Sequence, residues 1–240
     1  MLTDNEIHAL QGYLQVREFR GLEYIASTFS SGERLDVVEI GAFCGKSTVA
    51  IGSGLSKRGD GSKVYSIDWH KGSPENLRDP SFKGTLDLFR QNIDRYGLHD
   101  SVHEVVGRSE NVVDSVPDRI DVLWIDGQHE YEAVQRDFAL YEKKVKRNGL
   151  VLFHDAYKVD VWTGPLRVIR EDILIGRSDY DLFLIFETIV GLRKRRNMTS
   201  TFDIDALGFL NYERYKHSRA FKLGDKLLNT YMRRKFRIRT

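Results

Sequence analysis

The sequence contains a single cysteine, Cys44, in 240 residues. One thiol excludes a disulfide within the chain, and such sparing use of cysteine favours a reducing compartment. Long apolar runs are also missing, since none approaches the roughly 18 residues that a membrane-spanning helix needs. Residues 1–6 lack the basic and apolar regions of a secretion signal. We therefore expect a cytoplasmic protein without a membrane-spanning segment.

A large net charge is absent as well, because 37 Lys and Arg residues nearly balance 35 Asp and Glu residues. The balance conceals an asymmetry along the chain. Residues 193–240 hold 14 basic against 4 acidic side chains, whereas residues 1–192 hold 23 against 31. This pattern predicts that the C-terminal segment contacts an anionic partner, such as the inner face of a membrane, or serves as an arm in a homo-oligomer.

Short apolar segments alternate with longer stretches of helical periodicity. The segments that predict strands are residues 35–40, 63–67, 102–106, 121–125, 150–153, 180–186 and 188–192. The stretches that predict helices are residues 5–29, 47–57, 82–96, 110–115, 131–145 and 165–175. This alternation predicts an α/β fold with a doubly wound, seven-stranded, mostly parallel sheet and helices on both faces. We expect this domain to span residues 1–202, followed by a basic, amphipathic, helical C-terminal extension at residues 203–240.

Polar side chains recur where each of the first five predicted strands ends. The carboxyl ends of parallel strands lie along one edge of a sheet, and this edge is where such folds bind their ligands. Five strands therefore deliver acids, imidazole and hydroxyl groups to one crevice, from Glu39, Asp68, Arg108, Ser109, Asp126, His154 and Asp155.

The first predicted strand leads into a glycine turn at residues 41–45, which indicates a nucleotide site. A phosphate-binding loop has four residues between its glycines, and this turn has only three. A dinucleotide-binding turn has a middle glycine, and Phe43 stands in its place. S-adenosylmethionine (SAM) has no phosphates, and its positive charges favour an acid such as Glu39 beside the turn. Asp68 would accept hydrogen bonds from the ribose, and the helix that begins near Ser47 would offer donors to the methionine carboxylate.

The same residues carry a resemblance to a known family. Val38-Glu39-Ile40-Gly41-x-x-x-Gly45-Lys46-Ser47-Thr48 resembles motif I of the class I SAM-dependent methyltransferases. Ile125-Asp126-Gly127-x-His129-x-Tyr131 and Gly149-x-x-x-Phe153-His154-Asp155 resemble the subfamily of macrolide-sugar O-methyltransferases and cephalosporin-biosynthesis methyltransferase-like proteins. The resemblance covers about residues 20–195. It implies a Rossmann-like fold and methyl transfer to a hydroxyl of a sugar, a glycosylated small molecule or a glycan.

The resemblance also implies roles for individual residues. A divalent cation such as Mg²⁺ or Mn²⁺ would bind at Asp126, His154 and Asp155, and His129 would act with Asp126 in catalysis, as the base. The macrolide enzymes have an acid where this chain has His154, so His154 either favours a softer ion or orients Asp155. The residues expected to bind SAM are Glu39, Gly41, Gly45, Ser47, Thr48, Asp68, Trp69, Arg108, Ser109 and Asp126.

Two other functions stay open from the sequence. One is an RNA methyltransferase that uses the basic tail, although no recognisable RNA-binding module accompanies the domain. The other is a non-catalytic SAM-binding or scaffold protein, against which the intact set of Asp126, His129 and Asp155 argues. The acceptor pocket would be built by the loops at residues 69–82 and 157–165, so the identity of the acceptor is not encoded in a motif.

Overall fold

The computed structural model describes residues 2–29, 34–72, 84–156, 164–176 and 179–195. The strands in these ranges are β1 (Asp36–Ile40), β2 (Lys63–Asp68), β3 (Val102–Val106), β4 (Ile120–Ile125), β5 (Val145–Phe153), β6 (Tyr180–Phe186) and β7 (Ile189–Lys194). The helices are α1 (Asp4–Ala9), α2 (Val16–Thr28), α3 (Lys46–Ser56), α4 (Leu86–Arg95), α5 (Tyr131–Tyr141) and α6 (Gly164–Arg167), which continues as a π-helix over Val168–Ile175. Short 3-10 turns lie at Ser109–Asn111, Val113–Ser115 and Glu142–Lys144.

The strands form one sheet in the order β3-β2-β1-β4-β5-β7-β6. Strands β1 to β5 are parallel, and β7 is antiparallel to both β5 and β6. In the register of the central strands, Ile40 pairs with Ile67 on one side and with Ile125 on the other. The predicted α/β fold is confirmed. Because of this register, the residues that follow β1, β2 and β4 lie side by side at one edge of the sheet.

Two hydrophobic cores cover the two faces of this sheet. Neighbouring residues of a strand point to opposite faces. Val38 and Leu123 accordingly pack in the core that holds α5 and α6, whereas Val37 and Trp124 pack in the core that holds α1 to α4. The central strands are buried throughout because both faces are covered, and this leaves their carboxyl ends as the accessible edge.

The prediction of one helix over residues 5–29 is wrong, because the chain breaks between α1 and α2. Leu10 and Gln15 are extended, and Gly12 has φ +145. The second helix begins with its own capping box, in which the Glu18 carboxylate accepts a hydrogen bond from the Gln15 backbone N–H at 2.8 Å. The break places Glu18 at the buried beginning of α2.

Other differences concern where elements end. α5 stops at Tyr141, so that β5 begins at Val145 and is nine residues long instead of four. The helix predicted over residues 165–175 is mostly π-helix. The predicted extension at residues 203–240 lies outside the described residues. Within the described ranges, no helix is long and apolar enough to cross a membrane.

Candidate active site

The chain turns sharply after β1, and the turn requires glycine at its first position. Gly41 has φ +93, and a Cβ atom placed on it would lie 2.2 Å from the backbone oxygen of Asp126. Gly45 supplies the left-handed conformation that precedes α3, with φ +87. The ends of β1 and β4 are therefore in direct contact, with no space for a side chain between them.

Glu39 lies beneath this turn and not on its surface, since the residue is 0% exposed. Thr48 Oγ1 and Ser66 Oγ donate hydrogen bonds of 2.6 and 2.7 Å to Glu39 Oε2. The other oxygen, Oε1, is buried without a hydrogen-bond partner among the described residues. Burial raises the pKa of Glu39 to about 7. Thr48 thus supports Glu39, and Ser47 lies beside it in the buried first turn of α3.

Asp68 ends β2 and connects it to the glycine turn. Asp68 Oδ2 accepts a hydrogen bond of 2.8 Å from the Phe43 backbone N–H, and Oδ1 accepts one of 2.7 Å from the His70 backbone N–H. The carboxylate stays 16% exposed. Because each carboxylate oxygen has more than one lone pair, both can still accept hydrogen bonds from a ligand.

Trp69 and Arg108 form a stacked pair beyond Asp68, with the Arg108 guanidinium carbon 4.0 Å from the centre of the Trp69 ring. Arg108 comes from the end of β3, so the pair joins the ends of two neighbouring strands. This contact brings together two of the residues that the sequence assigned to the SAM site.

Ser109 is hydrogen-bonded to two residues of α5. Its hydroxyl donates a hydrogen bond of 2.5 Å to Asp137 Oδ1, and its carbonyl accepts one of 2.7 Å from the Tyr141 hydroxyl. Asp137 is 3% exposed, and burial raises its pKa to about 6. The sequence analysis missed Asp137, although its position on the apolar side of α5, between Val134 and Phe138, was a signal.

The catalytic residues expected from the sequence come together at the ends of β4 and β5. His129 Nε2 lies 3.7 Å from Asp126 Oδ1 and 3.7 Å from Asp155 Oδ2. The His129 side chain is 46% exposed, against 18% for Asp126 and 13% for Asp155. The imidazole therefore stands at the mouth of the site, with the two carboxylates behind it.

His154 lies deeper, at 4% exposed, and each of its ring nitrogens faces a carboxylate. Nδ1 is 2.9 Å from Asp126 Oδ1, and Nε2 is 3.3 Å from Glu18 Oε2. Burial alone would lower the pKa of His154, but the charges and hydrogen bonds of Asp126 and Glu18 raise it to about 10. Both ring nitrogens therefore donate, because carboxylate oxygens accept.

The same contacts hold Asp126 ionised. Burial alone would raise the pKa of Asp126, but the charge and hydrogen bond of His154, together with the nearby imidazole of His129, keep it below its usual value. Asp126 Oδ1 is thus the atom on which the two imidazoles converge.

Glu18 also contacts this cluster, although no feature of the sequence led us to expect it there. It is 1% exposed and lies 136 residues before His154 in the chain. Burial alone would raise its pKa, but hydrogen bonds from His154, Thr188 and the Gln15 backbone bring it well below the usual value. Only the capping box at Gln15 gave a sequence signal, and that signal concerned the helix and not the site.

The residues expected to bind a metal fit a cation in part. Asp126 and Asp155 offer carboxylate oxygens, which are the ligands that Mg²⁺ prefers. His154 departs from the expectation, since a ring whose two nitrogens both donate to carboxylates has no lone pair for an ion. Across the described part of the chain, no three His, Cys, Asp or Glu side chains are grouped so as to hold a metal ion.

Parts of the chain are similar to known proteins. A family model described as a methyltransferase domain matches residues 38–156. A curated relative, uncharacterized protein R132 of Acanthamoeba polyphaga mimivirus, is 33% identical over 140 residues, which is 57% of this chain and 58% of the relative. The chain thus spans somewhat more than half the length of that relative.

Solved structures of low sequence identity share the fold. The O-methyltransferase NovP has a TM-score of 0.63 at 18% identity, covering 76% of this chain and 81% of its own. An O-methyltransferase from Bacillus cereus, in complex with S-adenosylhomocysteine (SAH), has a TM-score of 0.58 at 16% identity, covering 79% of this chain and 87% of its own. Residues 38–156, just under half of the chain, thus match a methyltransferase domain, and the solved structures have the same fold as the sheet described above.

Proposed function

We propose that this protein transfers the methyl group of SAM to a hydroxyl of a sugar, a glycosylated small molecule or a glycan. The observation that carries the proposal is the convergence of His129, Asp126 and Asp155 directly beside the glycine turn. A partly exposed imidazole between two carboxylates suits the removal of a proton from an alcohol. The names of two fold relatives, both O-methyltransferases, support a hydroxyl acceptor.

The SAM site of this proposal lies at the ends of β1, β2 and β3. Glu39 Oε1, buried without a partner among the described residues, fits the ammonium of the methionine end. The methionine carboxylate would meet the backbone N–H groups at the glycine turn and at the start of α3. The residues there are Gly41, Gly45, Ser47 and Thr48. The remaining expected contacts are Asp68 to the ribose, with Trp69, Arg108 and Ser109 beside the adenine.

The transfer itself is a substitution at the methyl carbon. The acceptor oxygen forms a bond to that carbon, the bond from carbon to the sulfonium breaks, and SAH leaves. The hydroxyl proton passes to His129 Nε2, which then carries a positive charge stabilised by Asp126 and Asp155 at 3.7 Å. The protein contributes the base, its orientation and the alignment of the two substrates.

We further propose that Asp126 and Asp155 hold a divalent cation, Mg²⁺ or Mn²⁺. When bound, such an ion would lower the pKa of the acceptor hydroxyl. The two residues supply two ligands, and both are partly exposed at the edge of the site. We leave His154 out of the proposed set because both of its ring nitrogens already contact carboxylates.

The test incubates the protein with methyl-labelled SAM and a panel of sugars, glycosylated small molecules, cell-envelope glycans and RNA, with and without a chelator. We expect label in a carbohydrate acceptor, and loss of that label on chelation or in Asp155→Ala. Asp118→Ala, which removes an exposed acid elsewhere, serves as the matched control. Label in RNA instead would replace the proposed acceptor, and unchanged transfer in Asp155→Ala would contradict the cation.

We also propose that the basic residues 203–240 bring the enzyme to an anionic membrane surface, or join copies of the chain. The proposal rests on the excess of Lys and Arg in the sequence of that segment. Sedimentation with vesicles of anionic lipid, at low and high salt, tests the first alternative, and the mass of the complex in solution tests the second. A protein that is monomeric in solution and does not sediment with the vesicles at low salt would contradict both alternatives.

A further inference from the structure

We propose that Glu18 is a positioning residue of the methyl-transfer site and acts through His154 on Asp126. The proposal rests on the proposed function in one respect, namely that Asp126 belongs to the transfer site. Glu18, His154 and Asp126 form a continuous hydrogen-bonded series, which we call the buried tether, with contacts of 3.3 and 2.9 Å.

The geometry of the tether selects one atom of Asp126. His154 Nδ1 contacts Asp126 Oδ1, and this is the oxygen that lies 3.7 Å from His129 Nε2. A rotation of the Asp126 carboxylate that moves Oδ1 away from His129 would break the contact with His154. The tether therefore fixes the carboxylate that faces the catalytic imidazole.

Glu18 in turn fixes His154 because its carboxylate is saturated with donors. Oε2 accepts from the Gln15 backbone N–H at 2.8 Å and from His154 Nε2 at 3.3 Å. Oε1 accepts from the Thr188 backbone N–H at 3.1 Å and from the Thr188 hydroxyl at 2.5 Å. Four donors from three separate segments meet two oxygens, so Glu18 has one orientation in which all of them are satisfied.

The tether carries an energetic cost that packing alone would not require. The Glu18 carboxylate and the His154 imidazole are withdrawn from water here, and apolar residues of similar volume often replace such groups with no loss of stability. The benefit of the charged set is direction, since a hydrogen-bonded ring has a defined orientation. The sheet edge that holds Asp126 is thereby connected to α2 and to the turn between β6 and β7.

The test compares Glu18→Gln with a control in the turn between β6 and β7. An amide has one oxygen, so the NH₂ group of the glutamine faces a donor at His154 or at Thr188 and loosens the tether. Glu187→Gln removes an exposed acid from that turn and leaves the four donors to Glu18 in place.

The first measurement needs no acceptor. In protein labelled with ¹⁵N-histidine, we expect NMR to show both ring N–H groups of His154 protected from exchange. Glu18→Gln should shift both signals and speed their exchange, whereas Glu187→Gln should leave them in place. His154 signals in Glu18→Gln that match the wild type would overturn the tether, even if no acceptor is found in the panel.

The second measurement uses the acceptor found with labelled SAM. We expect Glu18→Gln to lower kcat by about tenfold or more, with the KM for SAM nearly unchanged, as for other partners that orient a functional residue. Combining it with His154→Gln should add little, because the two residues act in series. Glu187→Gln should leave both the Tm and kcat nearly unchanged. Fully additive losses in the double variant, or loss of Tm without loss of kcat in Glu18→Gln, would reduce Glu18 to a structural residue.

Discussion

His129 Nε2 and Asp126 Oδ1 are 3.7 Å apart, which is longer than a hydrogen bond. The carboxylate therefore stabilises positive charge on the imidazole without occupying its nitrogen.

We expect His129→Ala to lower kcat by about 10²–10⁴-fold while SAM binds normally, since a general base contributes this much. Turnover and SAM titration calorimetry measure the two effects. His99→Ala, which removes an exposed histidine from the surface, should change neither. Full turnover in His129→Ala would mean that another group removes the proton of the acceptor hydroxyl.

The contact between the turns after β1 and β4 gives a second prediction. Gly41→Ala places a Cβ atom 2.2 Å from a backbone oxygen, whereas Gly59→Ala, with φ +66, has nothing within 4 Å. In both variants alanine must adopt a left-handed backbone conformation, which destabilises the fold by about 1–2 kcal/mol. We expect Gly41→Ala to lose roughly 1–3 kcal/mol more from the free energy of unfolding, because the backbones must separate. Urea denaturation compares the two, and equal losses would mean that the turn can move aside.

The buried acid beneath the turn predicts how SAM affinity depends on pH. Burial raises the pKa of Glu39 to about 7, so the carboxylate is mostly protonated below that pH and ionised above it. The cationic methionine end favours the ionised form, and we expect SAM affinity to rise as the pH increases through 7.

Glu39→Gln isolates this effect. We expect it to bind SAM about tenfold or more weakly than the wild type above pH 7, because a charge-assisted hydrogen bond contributes about 1.5–3 kcal/mol. Its affinity should change little with pH. Calorimetry on both proteins gives the comparison, and equal affinity well above pH 7 would remove Glu39 from the SAM site.

Asp137 predicts a change of stability with pH. Its pKa is raised from 3.8 to about 6 by burial, so the folded protein holds a proton there that the unfolded chain releases. The contribution of Asp137 to stability is therefore unchanged below about pH 4, falls as the pH rises through 6, and stays low above it. The full loss is on the order of 3 kcal/mol, from the size of the pKa change.

Asp137→Asn should recover much of that loss near neutral pH, since an amide keeps an acceptor for Ser109 and has no charge to bury. The gain in the free energy of unfolding should disappear near pH 4. Asp100→Asn, at an exposed position, controls for the removal of one negative charge. A gain in Asp137→Asn that is the same at both pH values would contradict the raised pKa.

Much of the sheet and of its functional edge was predictable from sequence. Asp68, Asp126 and Asp155 were placed together because parallel strands share an orientation, so that any polar residue after such a strand reaches the same edge. The pairing of Ile40 with Ile67 and Ile125 confirms that logic. The break between α1 and α2 was missed, because the apolar periodicity of the N-terminal segment outweighed Gly12.

The roles of individual side chains were less predictable, for a physical reason. The resemblance implies that His154 is a metal ligand, and the sequence offered as an alternative only that it orients Asp155. Its environment is set by Glu18, which is 136 residues away and reaches the site only through the packing of α2. Asp137 reaches Ser109 from α5 in the same way. The sequence can indicate that a polar residue such as Asp137 is buried, but it does not indicate which distant residue that side chain contacts.

The buried tether also changes which part of the chain the proposed activity requires. The segment matched by the family model, residues 38–156, holds every motif residue, from Glu39 to Asp155. It contains neither Glu18 nor Thr188, so a fragment trimmed to that match would leave His154 without the carboxylate on its Nε2 side. Transplanting the motif residues into a methyltransferase of known structure would leave out the same carboxylate. On the proposal above, the functional unit is the motif set together with the start of α2 and the β6–β7 turn.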